Sequence, residues 1–162
     1  MTLDAGGIGK GLAADLILQF AQERGAEAVC INLGGEMAIN TGDSIGWDVE
    51  ILSPVDPEVI LDTVRISVGG VATSSLFARH RNGAGIASHL FTDSSAHDTD
   101  NTVGATVIAN SAAWSEAWTK YAILSNSAQA IDMLTSTGLA AMLVSADGHA
   151  TRTESWKTFT HE

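Results

Sequence analysis

The residues able to do chemistry are few in this 162-residue chain, and each falls in a definable setting. Near the start, Gly6-Gly7-Ile8-Gly9-Lys10-Gly11 places one lysine inside a run of glycines. A glycine-rich turn feeding a helix offers bare backbone N–H groups and the positive end of a helix dipole, both suited to a phosphate. Two common phosphate loops fail here. A nucleotide P-loop needs Ser or Thr after Gly-Lys, where Gly11 stands; the dinucleotide fingerprint needs a glycine where Leu12 stands and a strand before it. The plain alternative is a tight turn with Lys10 in solvent.

Other candidates are weaker taken singly. Glu116 and Lys120 share a helix face at the i, i+4 spacing, the order of a solvent salt bridge worth a few tenths of a kcal/mol. Thr73-Ser74-Ser75 offer hydroxyls to a ligand, or merely end a strand. His89 lies in an alternating run with no other His or Cys at metal-ligand spacing, the setting of a structural histidine. Asn32-Leu33-Gly34-Gly35-Glu36 reads as a bulge or turn at a strand end. Trp114, Trp118 and Tyr121 read as core or groove-lining aromatics. The single cysteine, Cys30, excludes an internal disulfide.

The elements that must position these groups follow from periodicity. Ala13, Leu16, Ile17 and Phe20 recur at helical spacing opposite Asp15, Gln19, Gln22 and Glu23, which predicts a helix over 9–24 with Ala13, Leu16, Ile17 and Phe20 inward and Gly25 as its stop. Residues 28–33 form a short apolar run read as a buried strand, 37–39 continue the sheet, and 47–51 alternate with period two. A strand is expected around 64–68, with Gly69-Gly70 separating it from 71–73. Further strands are expected over 86–91 and 103–109, with an acidic loop over 92–101. Ser111 is a good N-cap for a helix through Leu124, and 127–134 predict another helix ending before Gly138. Segments 139–145 and 150–153 flank Asp147-Gly148, a hairpin signal. Hairpins interleaved with three helices predict an α+β fold with an antiparallel or mixed sheet, in a single domain over 1–162.

Composition bounds the partners. Eight basic against 19 acidic residues give a net charge of −11, which disfavours nucleic acid and anionic membrane surfaces. No apolar run reaches the roughly 20 residues of a membrane span, and Met1 leads directly to Asp4 and glycines rather than to a signal-type apolar stretch.

Taken in order, Asp4-Ala5-Gly6-Gly7-Ile8-Gly9-Lys10-Gly11, Ala14-Asp15, Asn32-Leu33-Gly34-Gly35-Glu36, Trp47, Val71-Ala72-Thr73-Ser74, Ser88-His89 and Thr106-Val107-Ile108-Ala109 resemble the ApbE family, from residue 3 to the Asp147-Gly148 turn. The resemblance implies a T-fold-like subdomain architecture and an FAD:protein FMN transferase. Such enzymes split FAD at its pyrophosphate, move FMN to a Thr or Ser hydroxyl of a flavoprotein acceptor with Mg2+ on the phosphates, and release AMP. By that resemblance Asp4, Lys10, Thr73, Ser74 and His89 contact FAD or line its cleft. Gly7 offers a carbonyl to the metal. The metal motif Ala-Asp-Ala-x-x-Thr falls on Ser115-Glu116-Ala117-Trp118-Thr119-Lys120, making Glu116 and Lys120 the metal positions.

The departures carry information. Glu116 replaces an aspartate and keeps a hard oxygen, one methylene longer. Lys120 replaces a threonine, so a ligand oxygen gives way to an ammonium that competes with magnesium for Glu116. The family's His-x-x-Asp-Pro reads here His89-Leu90-Phe91-Thr92-Asp93. Members are also about twice as long, so the chain matches their C-terminal half. That implies an excised domain, a truncated reading frame, or a piece that self-associates or pairs with an N-terminal half. The readings weighed against a transferase are a module that binds FAD or another nucleotide without cleaving it, and an inactive structural fragment.

Overall fold

A computed structural model describes residues 5–42, 45–77 and 102–160; Asp4, His89, the strand expected over 86–91 and the loop over 92–101 lie outside them. In chain order the elements are α1 (Gly9–Gln22), β1 (Val29–Asn32), β2 (Glu36–Asn40), β3 (Trp47–Leu52), β4 (Ile60–Ile66), β5 (Val68–Ser75), β6 (Thr102–Ala109), α2 (Ala112–Leu124), α3 (Ser127–Ser136), β7 (Ala140–Ser145), β8 (Ala150–Arg152) and a 3-10 helix, Glu154–Thr158. Six strands form one sheet in the order β1-β2-β5-β6-β7-β8, and β3 pairs with β4 as a separate ribbon. Each of these pairings is antiparallel. The fold is α+β.

Period two divides the large sheet between two cores. In β7, Ala140, Met142 and Val144 pack with Ile39, Val71 and Ile108 against Ile51 of β3, Val64 and Ile66 of β4, and Trp156. Ala141 and Leu143 point the other way, onto Ala122 and Ile123 of α2 and Ala130 and Leu134 of α3. The molecule is therefore layered: helices, sheet, then the ribbon with the 3-10 helix. The sequence reading did not anticipate that last helix, which is anchored by the buried Trp156 indole N–H donating to Asp62 Oδ2 at 3.0 Å.

Two expectations need correcting. Gly69-Gly70 does not separate two strands: β5 runs through both glycines, paired with β2 on one side and β6 on the other. The glycines serve a close approach instead. A Cβ on Gly70 would lie 2.2 Å from Ala112 N, so the start of α2 rests directly on the strand. The second correction is the facing of α1. Leu16, Ile17 and Phe20 are exposed at 57%, 44% and 55%, with Ile8 and Leu12 beside them in the series, while Gly11 and Ala14 are the buried positions. Small residues let α1 come close to α2 and the sheet; its large apolar stripe is left outside.

The two helices cap each other. Asp15 on α1 accepts from Ala112 N and Ala113 N at 2.9 Å each, satisfying first-turn donors of α2 that no intrahelical carbonyl reaches. Ser111 adds the expected cap, accepting from Trp114 N. Asp15→Ala is expected to cost about 1–2 kcal/mol, the range for a lost cap, and Asp15→Asn less, because one oxygen still accepts. Urea unfolding midpoints of the three proteins check this. No helix among the described residues is long and apolar enough to cross a membrane.

Candidate functional site

Helix α1 begins with no side-chain cap of its own at Ile8. Its first-turn donor Gly11 N is met from α2 by Glu116 Oε2 at 2.8 Å. Only glycine permits this approach, since a Cβ at Gly11 would lie 2.4 Å from Ala112 O. Glu116 is thereby fixed at the N-terminus of α1 and is wholly buried. The i, i+4 pair it forms with Lys120 is not the solvent salt bridge that spacing suggests. The ammonium is 3.7 Å from Glu116 Oε1, with 13% of the Lys120 side chain exposed. That is an ion-pair distance, too long for a hydrogen bond, and Glu116 Oε1 has no hydrogen-bond partner.

Strand β2 supplies the second carboxylate. Glu36 lies opposite Ala72 of β5, on the sheet face that turns toward the helices and that Ser74 shares two residues along. It is buried among core positions and takes the Lys10 ammonium at 2.5 Å on Oε2. Its other oxygen, Oε1, is 3.9 Å from Lys120 Nζ. Lys10 is thus not free in solvent, although its side chain remains 42% exposed and marks the open side of the cluster.

A chain of hydroxyls completes the site. Lys120 Nζ donates to Ser74 Oγ at 2.7 Å, Ser74 Oγ and Thr119 Oγ1 are 2.7 Å apart, and Thr119 Oγ1 donates to Glu116 O at 2.8 Å. Because the Thr119 proton goes to the carbonyl, Ser74 must be the donor to Thr119, which leaves its lone pairs for the ammonium. Burial pushes the Lys120 amine below its ordinary value of 10.5; Glu116 and Glu36 oppose that shift and Lys10 adds to it.

The structure therefore gathers Gly7, Lys10, Ser74, Glu116 and Lys120. Gly7 joins because the loop lies on the lysine stem: a Cβ there would be 3.7 Å from Lys120 Cγ. Thr73 does not join them. Alternation sends it to the opposite face, where its hydroxyl lies 2.9 Å from that of Thr106. Glu36 and Thr119 belong to the cluster and were not foreseen. The signal for Glu36 was a carboxylate at a core position of an apolar strand; Thr119 had none. A cavity of about 390 Å³, lined by Thr102, Leu143, Ser145 and His149 among others, involves none of the cluster residues.

Residues 1–143 match the ApbE family. The chain belongs to it. The FAD:protein FMN transferase of Escherichia coli K12 is 26% identical over 158 residues, which cover 93% of this chain and 44% of that protein. The crystal structure of the ApbE protein of Thermotoga maritima superimposes with a TM-score of 0.87 at 22% identity, covering 99% of this chain and 54% of its own. The flavin transferase ApbE of Vibrio cholerae gives 0.79 at 20% identity, covering 97% and 52%. This ApbE-family chain thus spans about half the length of the relatives it matches, and the structural matches establish the shared fold.

The resemblance to ApbE motifs implies Mg2+ at Glu116 and position 120, and the described residues do not fit it. The orphaned Glu116 Oε1 is a suitable oxygen, but its neighbour is an ammonium. An ion ligated at about 2 Å from that oxygen would sit within about 6 Å of Lys120 Nζ; a double charge there is repelled by about 6 kcal/mol or more at an effective dielectric of about 20. Among the described residues no three of His, Cys, Asp and Glu come together as a ligand set. Lys10 and Lys120 already balance Glu36 and Glu116 one for one.

Proposed function

We propose that this chain forms the phosphate-holding half of an FAD:protein FMN transferase: FAD binds, FMN passes to a Thr or Ser hydroxyl of a flavoprotein acceptor, and AMP leaves. The observation that carries this reading is the convergence of the Gly7–Gly11 loop, Lys10 and Lys120 on one cluster walled by Glu36, Glu116 and Ser74. The curated relative from Escherichia coli bears that activity in its name. In the proposed complex Lys10, at the open side, binds a diphosphate oxygen; the Ile8 and Gly9 amides donate to Ala5 O and Gly11 N to Glu116, so the loop supplies shape and the lysines supply charge. Glu36 holds Lys10 in place from below. Glu116 orients the loop through Gly11 N, and Ser74 orients Lys120. Phosphoryl-type transfer is governed by such positioning and charge neutralisation, so these are the contributions the chain makes. Thr73, Asp4 and His89 remain proposed flavin contacts from the family resemblance.

The partner follows from the α1 stripe. Ile8, Leu12, Leu16, Ile17 and Phe20 form an exposed apolar stripe along one helix, the kind of surface that marks an interaction site. The relatives are about twice this length. We assign the stripe to the portion of the family fold outside this chain, which would also supply the rest of the flavin pocket. Leu16→Asp with Phe20→Asp is expected to leave the thermal midpoint unchanged and to abolish association with that portion in a pull-down. Concentration-dependent self-association lost in the same variant would instead make the occupant a second copy.

Calorimetric titration with FAD, followed by mass spectrometry of a flavoprotein acceptor incubated with FAD and the associated halves, tests the activity. Saturable FAD binding with an FMN mass increment on the acceptor and AMP release is the expected result. Binding without AMP release would make the chain a binding module; no binding in either state would overturn the reading.

A further inference from the structure

The geometry points to Lys120 as a tethered cation that stands in the place of a divalent metal, so that this site takes a diphosphate without a bound metal ion. For its ligand the inference rests on the flavin reading above; its metal arm does not. Among the described residues three oxygens surround Nζ: Ser74 Oγ at 2.7 Å, Glu116 Oε1 at 3.7 Å and Glu36 Oε1 at 3.9 Å. Only the first is a hydrogen bond, so two of the three ammonium N–H groups are held near carboxylates without being saturated by them. They remain available to a phosphate oxygen.

Position and charge agree with this. Lys120 lies one helical turn beyond Glu116, and its aliphatic stem packs beneath Gly7, so a phosphate seated on the glycine loop lies beside the ammonium. Glu116 Oε2 is committed to Gly11 N at 2.8 Å, which leaves Oε1, the oxygen beside the ammonium, as the one that could turn to another ligand. Among the described residues of the cluster, two ammoniums stand against two carboxylates, with no excess negative charge to recruit a divalent ion. A cation carried on a side chain cannot diffuse away from the site, which makes its occupancy independent of metal concentration.

The test uses Mg2+ alone first. Calorimetry of the wild-type chain is expected to show no saturable Mg2+ binding, while Lys120→Thr gains it and loses it again when Glu116→Gln is added. Saturable binding to the wild type that Glu116→Gln removes, or a folded Lys120→Thr protein that still takes no Mg2+, overturns the inference. If circular dichroism shows Lys120→Thr unfolded, the wild-type titration decides alone. The second arm titrates FAD in chelator and in Mg2+. Wild-type affinity is expected to be the same in both, and that of Lys120→Thr about tenfold or more weaker in chelator and restored by Mg2+. A wild-type affinity that collapses in chelator overturns the inference. If neither protein binds FAD, alone or associated with the remaining portion of the family fold, the flavin reading fails and the Mg2+ arm still decides the role of Lys120.

Discussion

Replacing Glu116 with alanine is expected to cost about 3–5 kcal/mol of stability, the range for removing one partner of a buried ion pair. Two losses combine. Gly11 N, a first-turn donor of α1, is left without an acceptor, and Lys120 keeps its charge in a buried position with only the more distant Glu36 to offset it. For a domain of this size about 3–5 kcal/mol lowers the thermal midpoint by roughly 10 °C. Glu116→Gln separates the two losses, because its amide oxygen still accepts from Gly11 N while the charge is gone. It is expected to be less destabilised than the alanine variant and to lower the Lys120 amine further below 10.5, since Glu116 is the main influence holding that value up against burial.

The pH dependence follows with a definite sign. A lysine whose pKa is depressed on folding binds fewer protons in the native than in the unfolded state over the interval between its lowered value and 10.5. Stability contributed by this group therefore rises with pH through that interval, and below it the full cost of burying the charge is present. Urea midpoints measured across this range are expected to rise from a lower pH in Glu116→Gln than in wild type. The component should vanish in Lys120→Met. Identical profiles in wild type and Lys120→Met would contradict the buried position of the ammonium.

Gly70→Ala is expected to be at least as damaging as typical core overpacking, about 3 kcal/mol or more. The added methyl would lie 2.2 Å from Ala112 N and 2.4 Å from both Ala112 Cα and Ser111 C, and none of these backbone atoms can rotate away. Helix α2 would have to lift from β5, carrying Ser115, whose hydroxyl donates to Gly70 O at 2.9 Å, and with it Glu116 and Lys120. Gly11→Ala meets the same residue from the other side, at 2.4 Å from Ala112 O. Both methyls press on Ala112, so the two costs are coupled and the double variant is not expected to equal the sum of the two. Gly9→Ala is the control: its nearest neighbour would be Ala5 Cβ at 3.4 Å, and a neutral or slightly stabilising effect is expected there. Chemical denaturation of the four proteins distinguishes a packing effect from a general helix-propensity effect.

These outcomes depend on contacts of very different legibility. The extents of α1, α2 and α3 were readable because caps and helical periodicity are local: Ser111 caps α2 as expected, and the Asp147-Gly148 turn joins β7 to β8. The facing of α1 was not. Its hydrophobic period pointed Leu16, Ile17 and Phe20 inward, yet Gly11 and Ala14 form the buried face, because close helix packing is decided by what lies opposite. Glu36 ends a glycine-pair motif that reads locally as a turn or bulge. Nothing within a few residues of it says that it meets a lysine 26 positions earlier. Thr73 and Ser74 looked like a pair because they are adjacent, and adjacency in a strand is what sends them to opposite faces.

The sequence by itself determined the α+β composition, the strands and helices with local signals, and the ApbE membership through its ordered motifs. Only the tertiary structure decided that Glu116 is buried with Lys120 largely covered beside it, that Glu36 and Ser74 close the cluster, and that an apolar stripe on α1 is left uncovered. The reason is physical. Caps, turns and periodicity act within a few residues along the chain, whereas desolvation and charge pairing depend on groups brought together from as far as 105 positions apart, as Gly11 and Glu116 are.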